Sequence, residues 1–279
     1  MEMTKREYAE AIATIIDAEV REVEKNNGVI FTGLTKTIKG ANIAPTIYIE
    51  EFYENDKSIE EAAKMIETII ENNNVNNFDA EGLMDWETVK DQLSARLLNK
   101  ATNAEVKRDA SSYGFEELII VPVINVSINE GAGSIKVTSR MLDRWKKSPK
   151  EVIDTALDNI KGDYEIKGMT EMIMDMMEIS EEDRDAFRAI YGAEDEKMFV
   201  LSNKTKCCGA IAVISAKEEL EKRFPNGYVV LPSSIHEVLI VPIEDGVRES
   251  ELTAMIQEVN GTQVAPEERL ADRAFYFAA

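Results

Sequence analysis

The chain has 279 residues, 44% of them hydrophobic, enough for one large or two modest domains whose buried core needs no covalent staples. Its 53 acidic residues against 32 basic ones give a formal charge of −21, so a broad basic surface for nucleic acid is not expected. Two adjacent cysteines, Cys207 and Cys208, cannot build a disulfide framework and point to a reducing, cytoplasmic setting.

The first segment, MEMTKREYAEAIATIIDAEVREVEK, lacks the tripartite order of a signal peptide, and no run approaches the roughly 18 apolar residues of a membrane span. Thr4 with Glu7 forms a capping-box pattern, and Tyr8, Ile12, Ile15, Ile16 and Val23 share a face, predicting a helix to about Lys25. After Gly28, the stretches VIFTGLTKTIKG and APTIYIEEFYE read as an antiparallel strand pair. Ser58 with Glu61 opens a second helix, with Ile59, Ala62, Met65, Ile66, Ile69 and Ile70 at helical spacing, ending in the asparagines Asn72 to Asn74. A further helix is expected over 83–89, and SARLLN is short enough to be strand.

The stretch FEELIIVPVINVSI carries Pro122 inside a strand pattern, which predicts an edge position or a bulge because proline donates no ladder bond. NEGAG makes a turn, SIKVT returns, and Thr138 or Ser139 caps a helix through Trp145. Ser148, Pro149 and Glu151 then mark a helix start. The acidic segment that follows holds Met169, Met172, Met174, Met176 and Met177, read as core filling before an adaptable binding surface. In the last third KMFVLSNK, GYVVLP and EVLIVPI read as strands, CCGAIAVIS as a strand-like run, Ser215 with Glu218 as another capping box, and ESELTAMIQEVN as a helix closing at Asn260-Gly261. The aromatics of APEERLADRAFYF are expected to pack back on the sheet.

The fold class expected is α+β, with mixed, largely antiparallel sheets and helices on their faces, in two lobes: 1–110 and 111–279, with the boundary as late as 165.

The chemistry concentrates at Leu-Pro-Ser-Ser-Ile-His-Glu, which holds the single histidine, His236. Ser233, Ser234, His236 and Glu237 are the candidate ligand- or partner-binding residues. A serine triad is disfavoured by spacing: in an extended segment Ser234 and His236 share a face and Glu237 points away, so the acid would have to come from elsewhere. The plainer reading has the serines satisfying a turn after Pro232 and His236 bonding a backbone group at the strand entrance. Cys207 and Cys208 could serve His236 as nucleophile, but cysteine in an apolar run behaves as a small hydrophobe. A structural zinc site needs about four ligands and the cysteines and histidine total three, so neither metal nor cofactor is expected. The acidity reads first as solubility, and second as a decoy for the basic partner of a nucleic acid.

NGYVVLPSSIHEVLIVP, ELTAMIQEVNGTQVAPEERLADRAFYF, GANIAPTIYIEEFYE and EELIIVPVI with GSIKVTSRMLDRW together resemble a family of bacterial proteins common in Clostridia, the domain-of-unknown-function family 5688. A more distant similarity, to the YtpQ-like proteins, rests on the strands and helix around Trp145. The resemblance implies a fold and a bacterial host and no activity. It leaves a non-enzymatic binding or regulatory protein as the first expectation, with an unidentified protein or small-molecule partner, and a hydrolase using His236 as the second.

Overall fold

The computed structural model describes residues 3–37, 44–72, 80–104, 106, 117–128, 131–191, 196–244 and 248–278. The expected boundary at 110–111 lies outside these residues, as do Gly40, Asn73, Asn74, Asn129 and Glu130. The chain divides into two compact units, residues 1–92 with 124–135, and residues 93–123 with 136–279.

In the first unit, helix α1 (Lys5–Ile16) opens with the expected capping box between Thr4 and Glu7. It stops much earlier than Lys25. Asp17 adopts a left-handed conformation at φ 55°, and its amide returns to the Ala13 carbonyl, which closes the helix. The residues beyond form strand β1 (Glu19–Glu24), paired antiparallel with β2 (Ile30–Thr35). Val20 and Val23 carry helix-forming charged neighbours, yet ladder pairing with Leu34 and Phe31 decides the outcome. Strand β3 (Thr46–Tyr48) completes the sheet in the order β1-β2-β3, as the paired glycine-bounded stretches anticipate. Glu50–Glu54, expected as strand, is helix α2.

Helix α3 (Ile59–Asn72) carries the Ser58–Glu61 capping contacts, and its buried Ala62, Ala63, Ile66 and Ile70 meet Tyr8, Ile12 and Ile16 of α1 over Leu34 and Ile49. Apolar residues at helical spacing thus build one continuous core for this unit. Residues 82–92 form short pieces, a 3₁₀ turn, α4 (Trp86–Val89) and a second 3₁₀ turn, where one helix was expected.

Strands β4 (Leu93–Asn99), β5 (Leu118–Ile128) and β6 (Gly131–Lys136) form a sheet in that order. Pro122 therefore sits in a central strand, not at an edge. Its carbonyl accepts from the Val137 amide at 3.0 Å, one residue past the end of β6. A strand residue's N–H and C=O point the same way, so the donor proline lacks is missed only where that ladder is ending.

Helix α5 (Ser139–Trp145) is capped by Thr138, and α6 (Pro149–Asn159) by Ser148 and Glu151 with Pro149 in its first turn, all as their sequences require. The second unit's larger sheet then takes β7 (Glu165–Gly168), after which α7 (Met169–Met176) and α8 (Glu181–Tyr191) pack against each other. Met174 is fully buried, but Met176 and Met177 are exposed, so core filling describes only part of the methionine cluster. Strand β8 (Phe199–Ser202) follows, then helices α9 (Ala212–Ser215) and α10 (Lys217–Arg223), strands β9 (Tyr228–Leu231) and β10 (Val238–Pro242), helix α11 (Glu249–Thr262) and strand β11 (Phe275–Phe277).

The sheet order is β11-β9-β10-β8-β7, antiparallel at every neighbouring pair. Phe275, Tyr276 and Phe277 pair with Val230, Val229 and Tyr228, so the aromatic tail becomes an edge strand. The architecture is α+β. Ser215 caps nothing, because Ala216 stays helical and its amide bonds the Ala212 carbonyl, leaving α10 no free first turn. Helix α11 continues through Gly261 to Thr262. Buried Asn260 there donates to the Ala271 carbonyl at 3.0 Å and Asp272 Oδ1 at 2.7 Å, contacts that outweigh the roughly 1 kcal/mol helix penalty of glycine. Among the described residues no helix is long and apolar enough to cross a membrane.

Candidate functional site

Between β9 and β10 the chain passes through Pro232 to Glu237 without regular structure, held from both sides. The Ser233 and Pro232 carbonyls accept from Leu270 and Ala271 amides, and the Ile235 amide donates to the Glu268 carbonyl at 2.9 Å. Ser234 and Arg269 form an isolated antiparallel bridge. On the other flank, the Ala210 amide donates to the Ile235 carbonyl at 3.1 Å.

Ser234 is buried, and its Oγ accepts from the His236 amide at 3.0 Å. That is the turn role expected of it. His236 bonds at both ring nitrogens: the Cys208 amide donates to Nδ1 at 3.2 Å, and Nε2 lies 3.1 Å from Glu268 Oε1. Accepting at Nδ1 requires the proton on Nε2, which then donates to the carboxylate. The expected backbone partner of His236 is therefore present, and the acid that sequence spacing required from elsewhere is Glu268. The His236 carbonyl accepts from Ser202 Oγ at 2.7 Å.

Cys207 and Cys208 do not lie in a strand. They close a loop after β8 that leads into a 3₁₀ turn, Gly209–Ile211, and both Lys206 (φ 54°) and Cys208 (φ 51°) are left-handed. Non-glycine residues enter that region only where their surroundings hold them there. Asn203 is the clamp: its Oδ1 accepts from the Cys207 amide at 3.1 Å and its Nδ2 donates to the Cys207 carbonyl at 2.9 Å. Gly209 lets the loop approach the turn, since a Cβ there would lie 2.2 Å from Ser202 Oγ and 2.8 Å from the His236 carbonyl oxygen. The consequence is that Cys207, Cys208 and His236 place their donor atoms within 4.8 Å of one another. Cys207 is exposed and Cys208 half-buried, and burial pushes the Cys208 thiol up to about 11, with Arg96 pulling the other way.

Glu237 faces a different environment. Its half-buried carboxyl group lines a cleft with Glu165, Lys167, Met172, Ser202 and Lys206, and burial raises its pKa, against a lowering influence from His236. Lys167 is engaged by Asp175 at 3.1 Å and Glu165 at 3.5 Å. No described residue hydrogen-bonds the Glu237 side chain. Of the four residues singled out in the sequence, Ser234 and His236 belong to one network, Ser233 contributes only its carbonyl to it, and Glu237 opens onto the cleft. Sequence reasoning missed Asn203, Gly209 and Glu268. The glycine directly after the cysteine pair is a visible signal, whereas nothing local marks Glu268.

The whole chain, residues 1–279, matches the family of unknown function DUF5688. The chain belongs to that family. No curated protein and no solved structure matches it.

Proposed function

We propose that this DUF5688 member is a cytoplasmic, non-enzymatic binding or regulatory protein of a bacterial cell that recognises a small molecule or protein segment at the turn of residues 233–237. The observation that carries the reading is Glu237, a half-buried carboxyl group with no hydrogen-bond partner among the described residues, facing a cleft that Lys206 also lines. A desolvated, unpaired carboxyl group in a concave site is poised to accept a donor from a ligand.

The second reading is a hydrolase that uses His236 with Ser234 or with Cys207 or Cys208, and Glu268 on Nε2 favours it by supplying an orienting acid. It ranks below binding because Ser234 is buried and accepts from the His236 amide, while the Cys208 amide, not a thiol or hydroxyl, occupies Nδ1.

The test is a thermal-shift screen of the wild type and Glu237→Gln against small polar metabolites and peptides. At a ligand concentration a hundred times Kd the expected stabilisation is about 2.7 kcal/mol, present in the wild type and absent from the variant. Compounds that stabilise both proteins equally would sink the cleft as the recognition site.

A further inference from the structure

The two cysteines and the one histidine of the chain converge, although they come from separate segments. Neighbouring side chains in an extended segment point to opposite faces, so two adjacent cysteines cannot ordinarily serve one centre. Here the left-handed Lys206 and Cys208 rotate the backbone on either side of Cys207, and the Asn203 clamp holds Cys207 at both its amide and its carbonyl. Gly209 permits the loop to lie against the His236 backbone. Together these features pre-arrange two sulfurs and a ring nitrogen within 4.8 Å.

We propose that Cys207 Sγ, Cys208 Sγ and His236 Nδ1 form a binding site for a thiophilic transition-metal ion of the zinc(II) or copper(I) type. Bond lengths of about 2.3 Å to sulfur and 2.0 Å to nitrogen put tetrahedral donors about 3.5–3.8 Å apart, so donors that already lie within 4.8 Å need close by no more than about 1.3 Å on the ion. His236 exchanges its 3.2 Å bond from the Cys208 amide for the metal. Glu268, on Nε2, then holds the tautomer and the orientation of the ring, as a carboxylate does behind a metal-bound histidine. Softness of the two thiolates selects these ions over magnesium or calcium. Binding releases both thiol protons, and the ion with two thiolates and one neutral imidazole keeps a coordination position for a further ligand. This goes beyond the Glu237 cleft and does not depend on it, so either can fail alone.

The experiment is titration of the reduced full-length protein with cobalt(II), followed by displacement with zinc(II), and a parallel chelator competition with copper(I). The expected result is one cobalt ion per chain with a thiolate-to-cobalt charge-transfer band, lost on adding zinc. Cys207→Ser and Cys208→Ser should each weaken binding at least tenfold, and Glu268→Gln by about 10–100-fold with the band retained. Far-UV circular dichroism identifies any variant that fails to fold. Exposed Cys207 makes its serine variant the decisive one should Cys208→Ser misfold. Tighter retention of copper(I) than of zinc(II), relative to free thiols, would assign the site to copper, and the reverse to zinc. A wild type that shows no thiolate band and retains neither zinc nor copper overturns the proposal, as does a Cys207→Ser variant that binds like the wild type.

Discussion

Gly209 has no room for even one extra carbon. A methyl group there would meet Ser202 Oγ at 2.2 Å, the Asn203 amide nitrogen at 2.5 Å and the His236 carbonyl at 2.8 Å, and two of those three are backbone atoms that cannot swing away. Gly209→Ala should therefore destabilise the protein by about 1–3 kcal/mol, read as a lower urea midpoint, and displace the cysteine loop from the His236 turn. A midpoint equal to that of the wild type would mean the loop moves freely. At this scale the site was half legible in sequence. Ser234 and His236 act within two residues of each other, and their turn chemistry follows from their types. The Glu268 contact spans 32 residues, and no local pattern encodes which of the chain's 53 acids meets the histidine.

Helix starts written in a local capping box were readable, and boundaries set by a left-handed turn or by a distant partner were not. Ser148 closes a capping box in which its Oγ accepts from the Glu151 amide and the Glu151 carboxylate accepts from the Ser148 amide, so the start of α6 is written within four residues. Ser148→Ala should lower stability by about 1 kcal/mol without altering the sheet, measurable by urea denaturation. Strand β1 is the opposite case: its residues favour helix locally and become strand because β2 offers a ladder. The CCGAIAVIS stretch was misjudged for a related reason, since apolar content over so few residues suits a short helix as well as a strand. The left-handed turn at Cys208 that separates the two depends on contacts with Asn203 and the His236 turn.

Across the molecule the acidic groups dictate how stability responds to pH. Glu7, Glu61 and Glu151 are held below their ordinary 4.5 by hydrogen bonds from the amide and hydroxyl of Thr4, Ser58 and Ser148. Glu171 is held down by its hydrogen bond from Arg188, and Asp175 by that from Arg184. Groups lowered in the folded state bind fewer protons there, so their stabilisation is present above the unfolded pKa and lost as pH falls through the folded one. Glu237 is raised and works the other way, its contribution present at low pH and lost as pH rises. The lowered groups outnumber it, so the urea midpoint should fall as pH is taken from about 5 to about 3. A midpoint that held or rose over that range would contradict the assignment.

In the strand order β11-β9-β10-β8-β7 the last strand of the chain pairs with β9, so the sheet is completed by the residues made last. Synthesis proceeds from the amino end at about 5–20 residues per second, so Cys207, Cys208 and His236 are all made before Glu268 and the β11 residues that follow it. Without residues 268–271, the amide of Ile235 and the carbonyls of Pro232 and Ser233 lack their partners, and the imidazole Nε2 has no carboxylate to receive its proton. A chain that stops before residue 268 therefore carries both thiols, the histidine and four of the five strands of this sheet, but lacks the backbone that closes the 232–235 turn and the carboxylate on Nε2.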